Sequence, residues 1–585
     1  MDDVINIITP ILQELAKEKE IVISEEDIKT MLVTQKPTEL RIADIAVPLF
    51  SFASLLKQAP DLIAKGIVAC IDIKKHPEFE RVESKNGYAN FFLSRNRYAR
   101  KVLHDIHTQW SLFGSSQQFS MLPIVVEFSS PNSNKPLHLG HLRNNILGES
   151  ISRILSYMGA QIIKTNLIND RGIHICQAMA AYKEFAHNQT PERLNQKGDF
   201  FVGKYYSLFL QWARKDQNAE REARKLLQDW EKGEEEVKQL WKMLTQWVIR
   251  GHQSTYRRTN ILFHVIDYES QMYMKGKDIA LQGEKANIFF RGNENELLVD
   301  LSSIGLDQKV LLRSDGTSLY ITQDIGTAVS RNRRWDFHQM IYVVAYEQNY
   351  HFKVLFEILK RLGYSWAHQL RHLSYGMVHL PEGRLKSREG RTVDADTLLD
   401  SLTQMAQDEI KLRQQHVSTD SHIAESVALA ALHYYLLRPH PATDITFNPD
   451  ASLEFQGDTG PYIQYMVARV YSLAGKYKQT YGKVFMPSKY RYNVQDVCDD
   501  EWTLIMHLGD FPRVVVDAGK GLNPSLIAEY AHRLAKKFSQ YYNKHIIIDP
   551  QQENRSTQRM FLAYGVRRVL ENCMYLLNLP VLETM

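Results

Sequence analysis

His138 and His141, with Gly140 between them, close the run Glu127-Phe-Ser-Ser-Pro-Asn-Ser-Asn-Lys-Pro-Leu-His-Leu-Gly-His141. At the turn from a strand into a helix, residues of these types can hold a nucleoside triphosphate beside a reacting carboxylate. Imidazole N–H groups donate to phosphate oxygens, and the unpaired amides and positive dipole end of the helix favour the same anion. Gly140 lets the nucleotide approach the backbone without a side chain in the way. A His-x-Gly-His tetrapeptide also fits an ordinary turn with two unremarkable histidines, so its surroundings decide. Ile124, Val125 and Val126 read as a buried strand; Leu147, Ile151, Ile154, Leu155 and Met158 recur at helical spacing until Gly159 stops the helix. Gln161 to Ile168 reads as a second strand, which completes a βαβ unit. The stretch has no Walker lysine-serine pair and no G-x-G-x-x-G, which disfavours P-loop ATPases and dinucleotide oxidoreductases.

The elements that must position this turn belong to a chain of 585 residues, long enough for on the order of three or four domains. Hydrophobic residues make up 44% and charged residues 24%, an ordinary balance for a soluble protein. No apolar run approaches a membrane span and the Met-Asp-Asp-Val start is unlike a signal peptide, so a cytoplasmic protein is expected. Cys70, Cys176, Cys498 and Cys573 lie far apart with no C-x-x-C pair, and neither zinc nor a disulfide framework is expected. A net charge of +4 leaves any RNA contact to local patches. The charged run Arg214 to Lys225 reads as a solvated helix face. From about residue 450 the pattern is helical, with Pro524 opening a helix whose core positions include Ile527, Tyr530, Ala531, Leu534 and Phe538.

The run from Glu127 to Asn145 resembles the signature of class I aminoacyl-tRNA synthetases, with His138-Leu-Gly-His141 as their "HIGH" motif. The flanking Phe-Ser-Ser-Pro-Asn and Lys-Pro-Leu-His are similar to the arginyl family in particular. This resemblance implies an α/β fold: a class I Rossmann-like catalytic domain with a parallel sheet, an N-terminal α+β additional domain and a C-terminal all-α anticodon-binding bundle. The corresponding divisions are 1–114 for the tRNA-contacting additional domain, 115–375 for the catalytic domain with a helical insertion at about 186–290, 376–450 for a pyrophosphate-loop and stem-contact region, and 451–585 for the bundle. The implied reaction joins arginine to the α-phosphate of ATP, which comes with Mg²⁺ as a substrate companion and not as a fixed protein metal. It then transfers the arginyl group to tRNA(Arg).

The same resemblance assigns the site. His138, Gly140 and His141 serve ATP, with Met377 and Val378 holding adenine through backbone groups. The family's "KMSKS" loop aligns with Arg384, Leu385, Lys386, Ser387 and Arg388, a departure from the pattern. Lys386 and Ser387 then contact ATP, and the pyrophosphate charge falls to Arg388 or to Lys135. Lys135 reads equally as a solvated lysine. A guanidinium is planar, permanently charged and rich in donors, so its pocket needs carboxylates and a planar partner. Tyr320 and Asp324, four residues apart on one turn, fill that need, with Glu269 as a second carboxylate and Gln348 completing the pocket; Glu127 and Asn132 hold the α-amino group. A synthetase for another amino acid such as cysteine, and a non-catalytic tRNA-binding paralogue, are the competing readings. A monomer is the default.

Overall fold

Ile124 to Val126 lie at the centre of the main sheet because an all-parallel sheet is covered on both faces and its inner strands are continuously apolar. The computed structural model describes residues 2–34, 43–381, 393–413, 421–489, 492 and 496–585. By contacts the chain forms two compact units. One comprises Met1–Thr108, Phe485–Gly509 and Asp549–Gly565; the other comprises Gln109–Val484, Asp510–Ile548 and Val566–Met585.

The first unit contains α1 (Asp2–Lys17), α2 (Glu25–Met31), β1 (Ile45–Pro48), α3 (Pro60–Cys70), β2 (Phe79–Lys85), β3 (Tyr88–Leu93) and most of α4 (Arg95–Gln109). Its three strands form an antiparallel sheet in the order β1-β3-β2. Asn86 and Gly87, both at positive φ, make the tight β2–β3 turn. The later segments join this unit through named contacts. Trp502, fully buried on the helix Asp499–Gly509, donates its indole N–H to Asp44 (3.1 Å), and Arg95 pairs with Asp499 (2.8 Å). Within the helical C-terminal span, residues 485–509 and 549–565 therefore pack with the first hundred residues, a long-range pairing that periodicity does not encode.

In the second unit, β4 (Pro123–Glu127), α5 (Leu139–Tyr157) and β5 (Gln161–Ile168) make the expected βαβ. Four helices follow: α6 (Ile173–Phe185), α7 (Gly198–Ala213), α8 (Asn218–Lys232) and α9 (Glu235–Arg258). They share their own core of Met179, Phe201, Tyr205, Phe209 and Val248. The chain then returns to the sheet at β6 (Val265–Tyr268), which pairs with β5. β6 falls within the span 186–290 expected as a helical insertion, and its four residues leave too short a pattern to read from the sequence. Next come α10 (Glu269–Lys285), a small antiparallel sheet of β7 (Phe290–Arg291), β8 (Leu297–Val299) and β9 (Lys309–Leu312), and α11 (Tyr320–Trp335). β10 (Gln339–Ala345), α12 (Asn349–Arg361) and β11 (Leu370–Tyr375) complete the main sheet, whose order is β11-β10-β4-β5-β6. β12 (Val378–His379) pairs in parallel with β13 (Ile445–Thr446), across an interval that includes α13 (Ala395–Arg413) and α14 (Ser421–Leu437).

This order places the site. The chain moves outward from β4 through β5 to β6, then crosses back to β10 on the other side of β4. The connections therefore diverge between β4 and β10, and the crevice at the carboxyl ends of these strands is where open α/β sheets bind ligands. Glu127, the last residue of β4, pairs in register with Tyr342 of β10.

Candidate active site

The turn after β4 is held by side chains that its own residue types do not predict. Ser129 and Ser130 both take positive φ (74° and 44°), a conformation that costs energy for residues with a Cβ and persists only where the surroundings fix it. Asn144 accepts from the Ser129 amide, Asn166 accepts from that of Ser130 (3.1 Å), and the hydroxyls of Ser129 and Tyr256 are 2.7 Å apart. The Asn144 amide also donates to the Val343 carbonyl (2.6 Å), which ties the signature helix to β10.

His138 is the N-cap of α5. Its Nδ1 accepts from the Gly140 amide, and its own amide donates to Nδ1 of His141, both at 3.2 Å, so that the two histidines form a reciprocal capping box. A β-carbon at Gly140 would come within 3.0 Å of the His138 ring, so the glycine also secures that ring's position. Burial, followed by the charge of Lys135, holds His138 down to about 4. Burial first, then His138, His252 and Lys135, holds His141 well below its ordinary range. Both rings are therefore neutral at physiological pH. A neutral imidazole whose Nδ1 accepts must carry its proton on Nε2, so each ring keeps one N–H donor that the cap does not use.

Lys135 is half-buried, and its ammonium acts on both rings. Its carbonyl lies 2.9 Å from His252 Nε2. Residues beyond the 382–392 interval dock onto the same turn: the Ala395 amide donates to the Leu137 carbonyl (2.8 Å), and Asp394 bridges to His138. Lys386, Ser387 and Arg388 lie outside the described residues.

The backbone groups of Met377, expected to hold adenine, have partners within the chain. Its amide donates to Asp444 (2.6 Å), and its carbonyl accepts from Arg143 (2.8 Å) and Ile445 (2.9 Å). The ladder to β13 runs through the carbonyls of Met377 and His379, so the peptide groups of Val378 face away from it. Arg143 is fully buried and also donates to the carbonyls of Pro441 (3.0 Å) and Thr443 (2.6 Å), fastening α5 to this strand pair.

On the other side of the turn three carboxylates converge. Asp324 raises the pKa of both Glu127 and Glu269, which places all three within electrostatic reach of one another. Glu127 is buried at the end of β4 and pairs with the fully buried Arg331, which also pairs with Asp267 (2.9 Å). Burial raises Glu127 and Arg331 opposes the rise. Glu269, the first residue of α10, is buried and pushed up to about 7, mainly by desolvation, with Arg171 opposing and Asp170 reinforcing the shift. Asp324 Oδ2 lies 2.6 Å from His351 Nε2. Tyr320, at the first turn of α11, is 70% exposed. Gln348 is exposed on the short turn that follows β10, and Asn132 is exposed with its backbone bridged to Asn169. Arg331, His351, Asn144 and Arg143 were not singled out from the sequence. A signal exists for two of them: Arg331 is seven residues after Asp324 on the same helix, and His351 is three after Gln348.

The whole chain can be set beside known proteins. Residues 110–449 match the family described as tRNA synthetases class I (R), catalytic domain; residues 463–585 match the DALR anticodon binding domain; residues 3–93 match the arginyl tRNA synthetase N terminal domain. The arginine–tRNA ligase of Treponema pallidum is 44% identical, with 95% of each chain covered, and that of Treponema denticola is 45% identical, with 94% of each covered. The arginyl-tRNA synthetase structure of Thermus thermophilus shares the fold with a TM-score of 0.76 at 24% identity, covering 99% of both chains. Matches of this extent over all three regions, on a sheet whose crevice carries the paired histidines, make the chain a member of the class I arginyl-tRNA synthetase family.

Proposed function

We propose that this chain activates L-arginine with ATP and transfers it to the 3′ end of tRNA(Arg). The observation that carries the reading is the turn from β4 to α5: two imidazoles with uncommitted Nε2–H donors stand at one end, and a buried carboxylate beside two more stands at the other. The arginine carboxylate attacks the α-phosphorus of ATP, the bond to the β-phosphate breaks, and pyrophosphate leaves; a terminal ribose hydroxyl of the tRNA then displaces AMP from the acyl carbon. Such transfers need placement and charge stabilisation, with no protein nucleophile. His138 and His141 donate to the phosphate oxygens, and Lys135 supplies positive charge toward the departing pyrophosphate. Adenine rests against the backbone of Met377 and Val378, where the peptide groups of Val378 face away from the ladder to β13. Mg²⁺ comes with ATP as part of the substrate.

Tyr320, Asp324, Glu269 and Gln348 receive the guanidinium, and Glu127 and Asn132 receive the α-amino group. Residues 1–114 contact the tRNA and the helical part of 451–585 reads the anticodon, in a monomer working in the cytoplasm. The reading is tested by pyrophosphate exchange with each of the twenty amino acids, with and without tRNA, followed by aminoacylation. Arginine alone is expected to support exchange, and only with tRNA present. Exchange with cysteine instead, or with no amino acid at all, would overturn it.

A further inference from the structure

The three carboxylates of the pocket are compensated in three ways. Glu127 has Arg331, an always-charged partner, and Glu269 has no ion pair among the described residues. Asp324 has His351, with Nε2 2.6 Å from Oδ2. His351 sits on the first turn of α12, three residues past Gln348, so one short segment presents both side chains. Its ring meets Phe352 edge-on at 5.5 Å and 89°. Phe352 packs against Tyr342 of β10 (4.9 Å) and His372 of β11 (4.4 Å), and His372 is itself fixed through Nε2 to the Val344 carbonyl (2.9 Å). A packed wall of the sheet thus backs the imidazole. The Asp324 carboxylate is 28% exposed on a helix surface, where an unrestrained side chain samples several rotamers. A hydrogen bond to Oδ2 selects one of them and does not engage Oδ1.

We propose that His351 is a positioning residue for the amino-acid substrate, holding Asp324 so that Oδ1 meets the planar N–H fork of a guanidinium. The inference rests on the reading of Asp324 as a guanidinium contact. A fork that bonds in a fixed plane demands a carboxylate in a fixed plane, and a misplacement of order 1 Å costs heavily in such sites. His351 touches no reacting atom, so its effect should fall on arginine recognition alone.

Aminoacylation kinetics of the full chain with His351→Ala, His351→Gln, Asp324→Asn and the Ala–Asn double variant test this. His351→Ala should raise the arginine KM about tenfold while leaving kcat and the ATP KM within about twofold. His351→Gln, which keeps an N–H donor, should restore most of the loss, and His351→Ala should add little once Asp324 is already Asn. If Asp324→Asn raises the arginine KM but His351→Ala does not, the positioning role is wrong and the pocket reading stands. If Asp324→Asn leaves the arginine KM unchanged, the pocket reading itself falls. Parallel increases in the arginine and ATP KM values, unrescued by Gln, would reduce His351 to a packing residue and overturn the proposal.

Discussion

At the end of the β4–α5 turn proposed to hold phosphate, burial removes protons from His138 and His141; at the end proposed to hold the amino acid, the same burial adds affinity for protons to Glu127 and Glu269. Desolvation disfavours whichever form is charged, so it moves bases down and acids up. The regions then diverge in how they use their neutrality. The histidines are held neutral by burial and oriented by reciprocal caps, and a neutral ring with one fixed N–H is a directional donor that repels neither Mg²⁺ nor arginine. Glu127 has a fixed ion-pair partner in Arg331; Glu269 has the opposing charge of Arg171 but no ion pair among the described residues, and in the proposed reading bound arginine supplies one. In the proposed function one end is preset before any substrate arrives, and the other is completed by the substrate.

The largest effect should come from removing the fixed cation. Arg331 is fully enclosed between Glu127 and Asp267, and deleting it strands the buried Glu127 carboxylate and leaves Asp267 with Arg334 alone. Arg331→Met is expected to lower unfolding stability by about 3–5 kcal/mol, read by urea denaturation. Arg331→Lys should recover only part of this, because an ammonium cannot present a planar fork to two carboxylates at once. A variant as stable as the parent would mean that Glu127 does not depend on this cation, and the contrast with Glu269 would disappear.

Next in size is loss of a preset donor. His141→Ala removes one Nε2–H and also the cap of the His138 amide. By analogy with lost transition-state donors, kcat for pyrophosphate exchange should fall about 10²–10³-fold, with the arginine KM nearly unchanged. His141→Asn keeps an acceptor for the cap but moves the donor, so it should restore stability better than rate. A change confined to the arginine KM would break the division between the two ends.

How much of this was legible in the sequence depends on whether the determinants were local. The strand Ile124–Val126, the helix ended by Gly159, and the histidine pair are written in short windows, and the structure places them as read. Strand β6 was missed because its four residues carry no period. The close crossing of α10 and α11 was missed because it rests on Gly276, where a β-carbon would lie 1.9 Å from the Thr322 carbonyl oxygen, and a lone glycine in a helix gives no hint of its neighbour. Arg331 and His351 went unseen for a related reason. Residues that bind a ligand were sought by chemical type, whereas these two act on other side chains, and that role exists only once α11, α12 and β4 are assembled. The occupied backbone of Met377 is likewise a fact of pairing with Asp444 and Arg143, which lie 67 and 234 residues away.

The smallest effect separates the two ends most sharply, because it needs only a change of pH. Glu269 carries a pKa of about 7, raised from an ordinary carboxylate value near 4.5 by burial, with Asp170 and Asp324 adding to the rise and Arg171 and Gln323 opposing it. A guanidinium binds the ionised form, so below pH 7 arginine must first displace a proton. The arginine KM should therefore increase as pH falls through 7, approaching about tenfold per unit on the acid side, and level off above it. Stability carries the opposite sign: a raised carboxylate pKa favours the folded state fully below about 4.5, and that contribution is lost as pH rises through 7. His138, with a pKa held near 4, stays neutral throughout the window from 6 to 8, so the ATP KM should be flat there. Glu269→Gln cannot ionise and should abolish the slope for arginine while weakening its binding at pH 8. A slope that survives in Glu269→Gln would assign the titration to another group facing the pocket, and the idea that the substrate completes the charge at this end would fail.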